Sequence, residues 1–88
     1  MIYDDKLVDT EFNKVIGKVL KEKRLDKNWS LLEVSRKIKK VSRQTIFHYE
    51  NGDTKIRRNI FVDLCKLYEV DPDRLLDEVL VEYMKTKE

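Results

Sequence analysis

Glycine and proline are almost missing from this chain, with two of the first and one of the second in 88 residues. That scarcity argues against a fold of many short strands joined by tight hairpins. No long run alternates apolar with polar residues, so the signature of a half-buried strand is missing too. Cysteine occurs once, at Cys65, and histidine once, at His48. One cysteine makes no intramolecular disulfide, and the pair is too few for a zinc site. Cys65 lies in the apolar segment IFVDLCKLY and reads as a reduced core thiol. No stretch reaches the ~18 apolar residues of a membrane span. The opening MIYDDKLVDTEF is acidic with no apolar run behind it, unlike a signal peptide. There is no phosphate-binding loop, paired carboxylate site or nucleophile set beside a base. The expectation is a cytoplasmic, all-α protein of one domain over residues 1–88, with no enzymatic activity and no cofactor.

What the chain does have is charge, unevenly placed. The net charge is only +2, but residues 13–58 carry fourteen Lys or Arg against five Asp or Glu. Residues 1–12 and 59–88 are both net acidic. A basic middle between acidic ends suggests one face suited to a polyanion, although lysine-rich helices can be simply soluble.

Hydrophobic spacing divides the chain into five helices. The first is expected from Asp9 or Thr10 to Arg24, with Phe12, Val15, Ile16, Val19 and Leu20 on one face. Ser30 and Glu33 then form an S-x-x-E capping box, with Trp29 and Val34 spaced as a hydrophobic staple. That second helix should end at Lys39 or Lys40. Ser42 caps a third, about 42–51, which buries Ile46 and Tyr49 and stops at Gly52. Two short helices joined this tightly form a helix-turn-helix. DTKIRRN reads as a basic loop before a fourth helix over Ile60–Tyr68. Asp71 and Pro72 open a fifth, about 72–85. Its apolar residues Leu76, Val79, Leu80 and Tyr83 share a stripe and are the expected homodimer interface; the alternative is that the stripe covers the domain's own core.

The segments IGKVLKEKR, WSLLEVSRKI, VSRQTIFHYENG and LCKLYEVDPDRLL together resemble the Cro/C1-type helix-turn-helix family of phage repressors and related regulators. The resemblance spans about Ile16 to Leu76. It implies a compact five-helix, lambda-repressor-like DNA-binding fold whose third helix enters the major groove. Arg43, Gln44 and His48 fall where such proteins contact base edges, and Thr45 can meet a thymine methyl or a phosphate. Arg43 and Gln44 lie in the first turn, the part that points into the groove, and can bind guanine and adenine respectively in bidentate fashion. Ser42, Lys55, Arg57, Arg58 and Asn59 match the phosphate-binding positions. Arg24 and Glu50 match a structural ion pair that joins the first and third helices in some relatives.

The sequence also departs from the family pattern. Leu31 stands where a polar phosphate donor is usual, and it is followed by Leu32. The two read either as interior residues or as a patch for a protein partner. The turn KKV has no glycine where relatives often do. Phe47, on the outward face of the third helix, reads equally as a contact to thymine methyls or sugar and as packing beneath the loop. The expected function is a sequence-specific, repressor-like regulator that binds an inverted repeat of double-stranded DNA as a homodimer. The alternative is a protein-interaction module, anti-repressor or antitoxin-like, on the same scaffold.

Overall fold

Two serines start the central helices in the same way. Ser30 Oγ accepts the Glu33 N–H at 3.1 Å, and the Glu33 carboxylate accepts the Ser30 N–H at 3.2 Å, which closes the capping box. Ser42 Oγ accepts the Thr45 N–H at 3.2 Å. The computed structural model describes residues 5–86, with side chains from Thr10 onward. Among these residues are five α-helices and no strand: α1 (Asp5–Asp26), α2 (Leu31–Ile38), α3 (Arg43–Asn51), α4 (Arg58–Leu67) and α5 (Pro72–Thr86).

Two helices start earlier than the pattern suggests. α1 begins at Asp5, several residues before the apolar period that starts at Phe12. Once a helix is nucleated, each added residue gains one hydrogen bond, so it extends into a polar segment without a sequence signal. α4 begins at Arg58 rather than Ile60, with Arg57 as an N-cap that makes no side-chain bond. Arg58 and Asn59 therefore belong to a helical first turn, not to the loop. α5 is capped by Asp71, whose Oδ1 accepts the Asp73 N–H at 2.9 Å.

Helix ends share one device, and only one of them uses glycine. Past α1, α3 and α4 a residue in the left-handed region closes the helix: Asn28 (φ 60°), Gly52 (φ 76°) and Glu69 (φ 59°). In each, the next N–H reaches back five residues, Trp29 to the Arg24 carbonyl, Asp53 to that of His48 and Val70 to that of Cys65. This is the Schellman closure. α2 ends on Lys39 (φ 65°), whose N–H bonds the Ser35 carbonyl.

The core draws on every helix. Val19 and Leu20 of α1, Val34 of α2, Ile46 of α3, Leu64 and Cys65 of α4, and Leu75 and Val79 of α5 are fully buried. α1 packs on α3 and α5, α2 on α3 and α4, and α4 on α5. Gly17 permits the α1–α3 approach, since a Cβ there would overlap the carbonyl oxygens of Tyr49 and Glu50. Phe12 and Tyr83 meet edge to face at 5.4 Å, joining α1 to α5.

This packing corrects one expectation. Val79 cannot take part in a dimer interface, because it has no exposed surface within its own chain. Leu76 and Tyr83 are also packed against the core. A helix laid against α1 and α4 must bury one side of its stripe, and that side includes Val79. The exposed apolar residues of α5 are Leu80, Val81 and Met84.

Candidate nucleic-acid interface

α3 presents two faces with different tasks. Ile46, Tyr49 and Glu50 point inward and are buried. Arg43, Gln44, Phe47, His48 and Asn51 are exposed. Spacings of three and four place these five on one side of the helix. Arg43 and Gln44 occupy the first turn, where the Ser42 cap leaves their side chains free. Neither makes a hydrogen bond or ion pair among the described residues.

What holds this helix in place is a buried ion pair. Arg24 Nε donates to Glu50 Oε2 at 2.8 Å, and Nη2 donates to Oε1 at 3.0 Å. Nη1 donates to the Trp29 carbonyl at 2.8 Å. One guanidinium thus links the end of α1, the segment before α2 and the last turn of α3. The bidentate geometry fixes orientation as well as distance. The Glu50 carboxylate raises the Arg24 pKa above its ordinary value, so the charge persists despite burial. A second tie, Lys40 Nζ to Asp63 Oδ2 at 2.6 Å, joins the α2–α3 turn to α4.

Lys55, Arg57, Arg58 and Asn59 are exposed and make no side-chain hydrogen bond or ion pair among the described residues. Ser42 and Thr45 are less free. Their hydroxyls lie 3.1 Å apart, and Thr45 is half-buried. His48 is exposed, but its Nδ1 lies 3.2 Å from Asp53 Oδ2. Phe47 is 47 % exposed, so it does not pack beneath the following loop, and its ring meets that of His48 edge-on at 5.7 Å. Leu31 packs against the core while Leu32 stays exposed, so the two leucines have different environments.

The acidic C-terminal third has a definite neighbour. Glu78 and Glu82 of α5 pair with Lys23 and Lys18 of α1, at 3.2 and 3.8 Å, and Glu69 pairs with Lys27 at 3.4 Å. These carboxylates offset lysines of α1 and of the turn that follows it. Uncompensated cations remain on α3 and at the start of α4.

Sequence reading missed Asp53 and the Lys40–Asp63 tie. Asp53 had a usable signal: a residue directly after a helix-ending glycine is brought back against the last turn by Schellman closure. Lys40 and Asp63 are twenty-three residues apart and carry no local signal. Among the described residues no helix is long and apolar enough to cross a membrane, and no cluster of His, Cys, Asp or Glu is placed to hold a metal ion.

A helix-turn-helix family model, HTH_3, matches residues 20–75, from the second half of α1 into α5. No curated protein and no solved structure matches the chain.

Proposed function

The chain belongs to the Cro/C1-type helix-turn-helix family of DNA-binding transcription regulators, and we propose that it is a cytoplasmic, non-enzymatic, repressor-like member that binds an inverted repeat as a homodimer. The observation that carries this reading is the first turn of α3. Two side chains able to read bases in bidentate fashion, Arg43 and Gln44, project unpaired from a helix clamped by the buried Arg24–Glu50 pair. The clamp fixes the helix from which they project, so only their own rotamers are ordered on binding, and both can read bases. Lys55, Arg57, Arg58 and Asn59 grip the backbone beside them, aided by the open N–H groups at the start of α4. Thr45 and His48 extend the base-reading row, and Ser42 adds a phosphate contact at its edge. Phe47 reaches thymine methyl groups from the same face.

Dimerisation uses the exposed side of α5. Leu80 and Met84 lie one turn apart, and Leu76 one turn before Leu80 borders a shallow groove lined by Ile16, Ile56 and Phe61 and edged by Lys55 and Arg58. Two copies related by a two-fold axis would set their α3 helices about 34 Å apart, in successive major-groove faces. The test is selection of bound sequences from a random duplex pool, followed by mobility shifts at several salt concentrations. An inverted repeat with half-sites one helical turn apart is the expected product. Lack of salt-sensitive binding to any duplex would sink the proposal.

The exposure of Leu32, at 39 %, favours a second reading. On it, the α2 surface docks a protein, and the scaffold serves an anti-repressor or antitoxin-like role. That reading predicts that Leu32→Glu abolishes partner capture while any duplex binding is weak and insensitive to sequence.

A further inference from the structure

We propose that Asp53 sets the proton position on His48 and so decides which chemical group of a base pair His48 reads. The assignment rests on the DNA reading above and adds a residue that contacts no base itself. It starts from the backbone. Gly52 takes a left-handed conformation, and the Asp53 N–H turns back to the His48 carbonyl at 3.0 Å. This closure holds Asp53 beneath the last turn of α3, where its Oδ2 lies 3.2 Å from His48 Nδ1. The contact thus joins two exposed side chains whose backbones are tied together at the helix end.

The chemistry follows from what each atom can do. An ionised carboxylate only accepts hydrogen bonds, so the bond forms only when His48 Nδ1 carries a proton. In the neutral ring the other nitrogen, Nε2, is then an acceptor. His48 lies one turn past Gln44 on the exposed face of α3. An acceptor at that place selects major-groove donors, which are the exocyclic amino groups of adenine (N6) and cytosine (N4). The opposite tautomer would select guanine or thymine acceptors instead. Asp53 is thus a positioning residue for specificity.

Two measurements on the full chain test this at pH 8. A long-range ¹H–¹⁵N spectrum of the free protein reads the His48 tautomer directly. The proton is expected on Nδ1 in the native protein, with a shift toward the Nε2–H form in Asp53→Ala. A panel of duplexes, each changing one base pair of the selected site, reads specificity. One position should favour adenine or cytosine by about two- to tenfold, the worth of one hydrogen bond. That preference should vanish in both Asp53→Ala and His48→Ala, with other positions unchanged. A native ring protonated on Nε2 would overturn the proposal. So would a preference that His48→Ala removes and Asp53→Ala retains, or one that His48→Ala leaves intact. Failure to bind any duplex would overturn the base-reading claim together with the DNA reading, while the spectrum reports separately whether Asp53 governs the ring.

Discussion

Among single side chains, the buried ones carry the sharpest consequences. Arg24 and Glu50 are nearly inaccessible, with side chains 9 % and 4 % exposed. Removing one leaves the other's charge buried and uncompensated, which costs about 3–5 kcal/mol. Glu50→Ala should therefore destabilise the protein by that amount in urea denaturation. The double change Arg24→Met with Glu50→Met should cost far less, because both desolvated charges leave together. A double variant as unstable as the single one would argue that the pair supplies net stability. Cys65 sets a second test. Burial, with the charge of Asp71 adding to it, raises its thiol pKa from 9.0 to about 11. Burial and the nearby Glu50 push the Tyr68 hydroxyl up as well. The unfolded chain gives up these protons at lower pH than the folded one. Stability is thus full below about pH 9 and declines as pH rises toward 11. The slope approaches about 1.4 kcal/mol per pH unit for each proton. Denaturation curves from pH 8 to 11 should show this decline, and Cys65→Ala should remove its first part.

Helices and loops impose their own demands. α2 and α4 close through Lys39 and Glu69, two residues with side chains in left-handed geometry. That geometry costs about 1–2 kcal/mol for a residue with a Cβ and almost nothing for glycine. Lys39→Gly and Glu69→Gly are each expected to raise the denaturation midpoint, with a gain nearer 1 kcal/mol because glycine loses more entropy on folding. The KKV turn thus takes the glycine conformation with a lysine. α3 and the α4 start should differ in how they fail. Arg43→Ala should cost about 1–3 kcal/mol at one base position and relax specificity there. Lys55→Ala or Arg58→Ala should weaken binding to all sequences and flatten the salt dependence. Titrating each variant against matched, mismatched and random duplexes separates the two patterns. A uniform loss from Arg43→Ala would remove it from base reading.

In the molecule as a whole, α5 lies along the basic side of α1. Its Glu78 and Glu82 pair with α1 lysines, and its exposed Leu80, Val81 and Met84 are the surface proposed for a second copy. Leu80→Glu is predicted to halve the mass seen by sedimentation while leaving helicity unchanged. It should also reduce affinity for a two-half-site duplex much more than for a single half-site, because the linked second contact is lost. An unchanged mass would place dimerisation elsewhere or exclude it. Much of this architecture was legible beforehand. The Ser30–Glu33 box, the Ser42 cap, the Gly52 stop and the Asp71–Pro72 start are local bonds between residues two to five apart, so spacing reveals them. The early start of α4 was not legible, because Arg57 caps it through backbone geometry alone.

The amino-acid order alone settled which segments are helical, which side of each is apolar, and that Arg43 and Gln44 leave the core side of α3. Those properties follow from side-chain period and from capping within one turn, and both are short-range. Tertiary structure decided the rest. It buried Val79 and left Leu80 outside, paired the α5 carboxylates with α1 lysines, and tied Lys40 to Asp63. A helical stripe states what must be covered but not by which neighbour. A charged side chain finds its partner only when the packing of distant helices brings the two within a few ångströms.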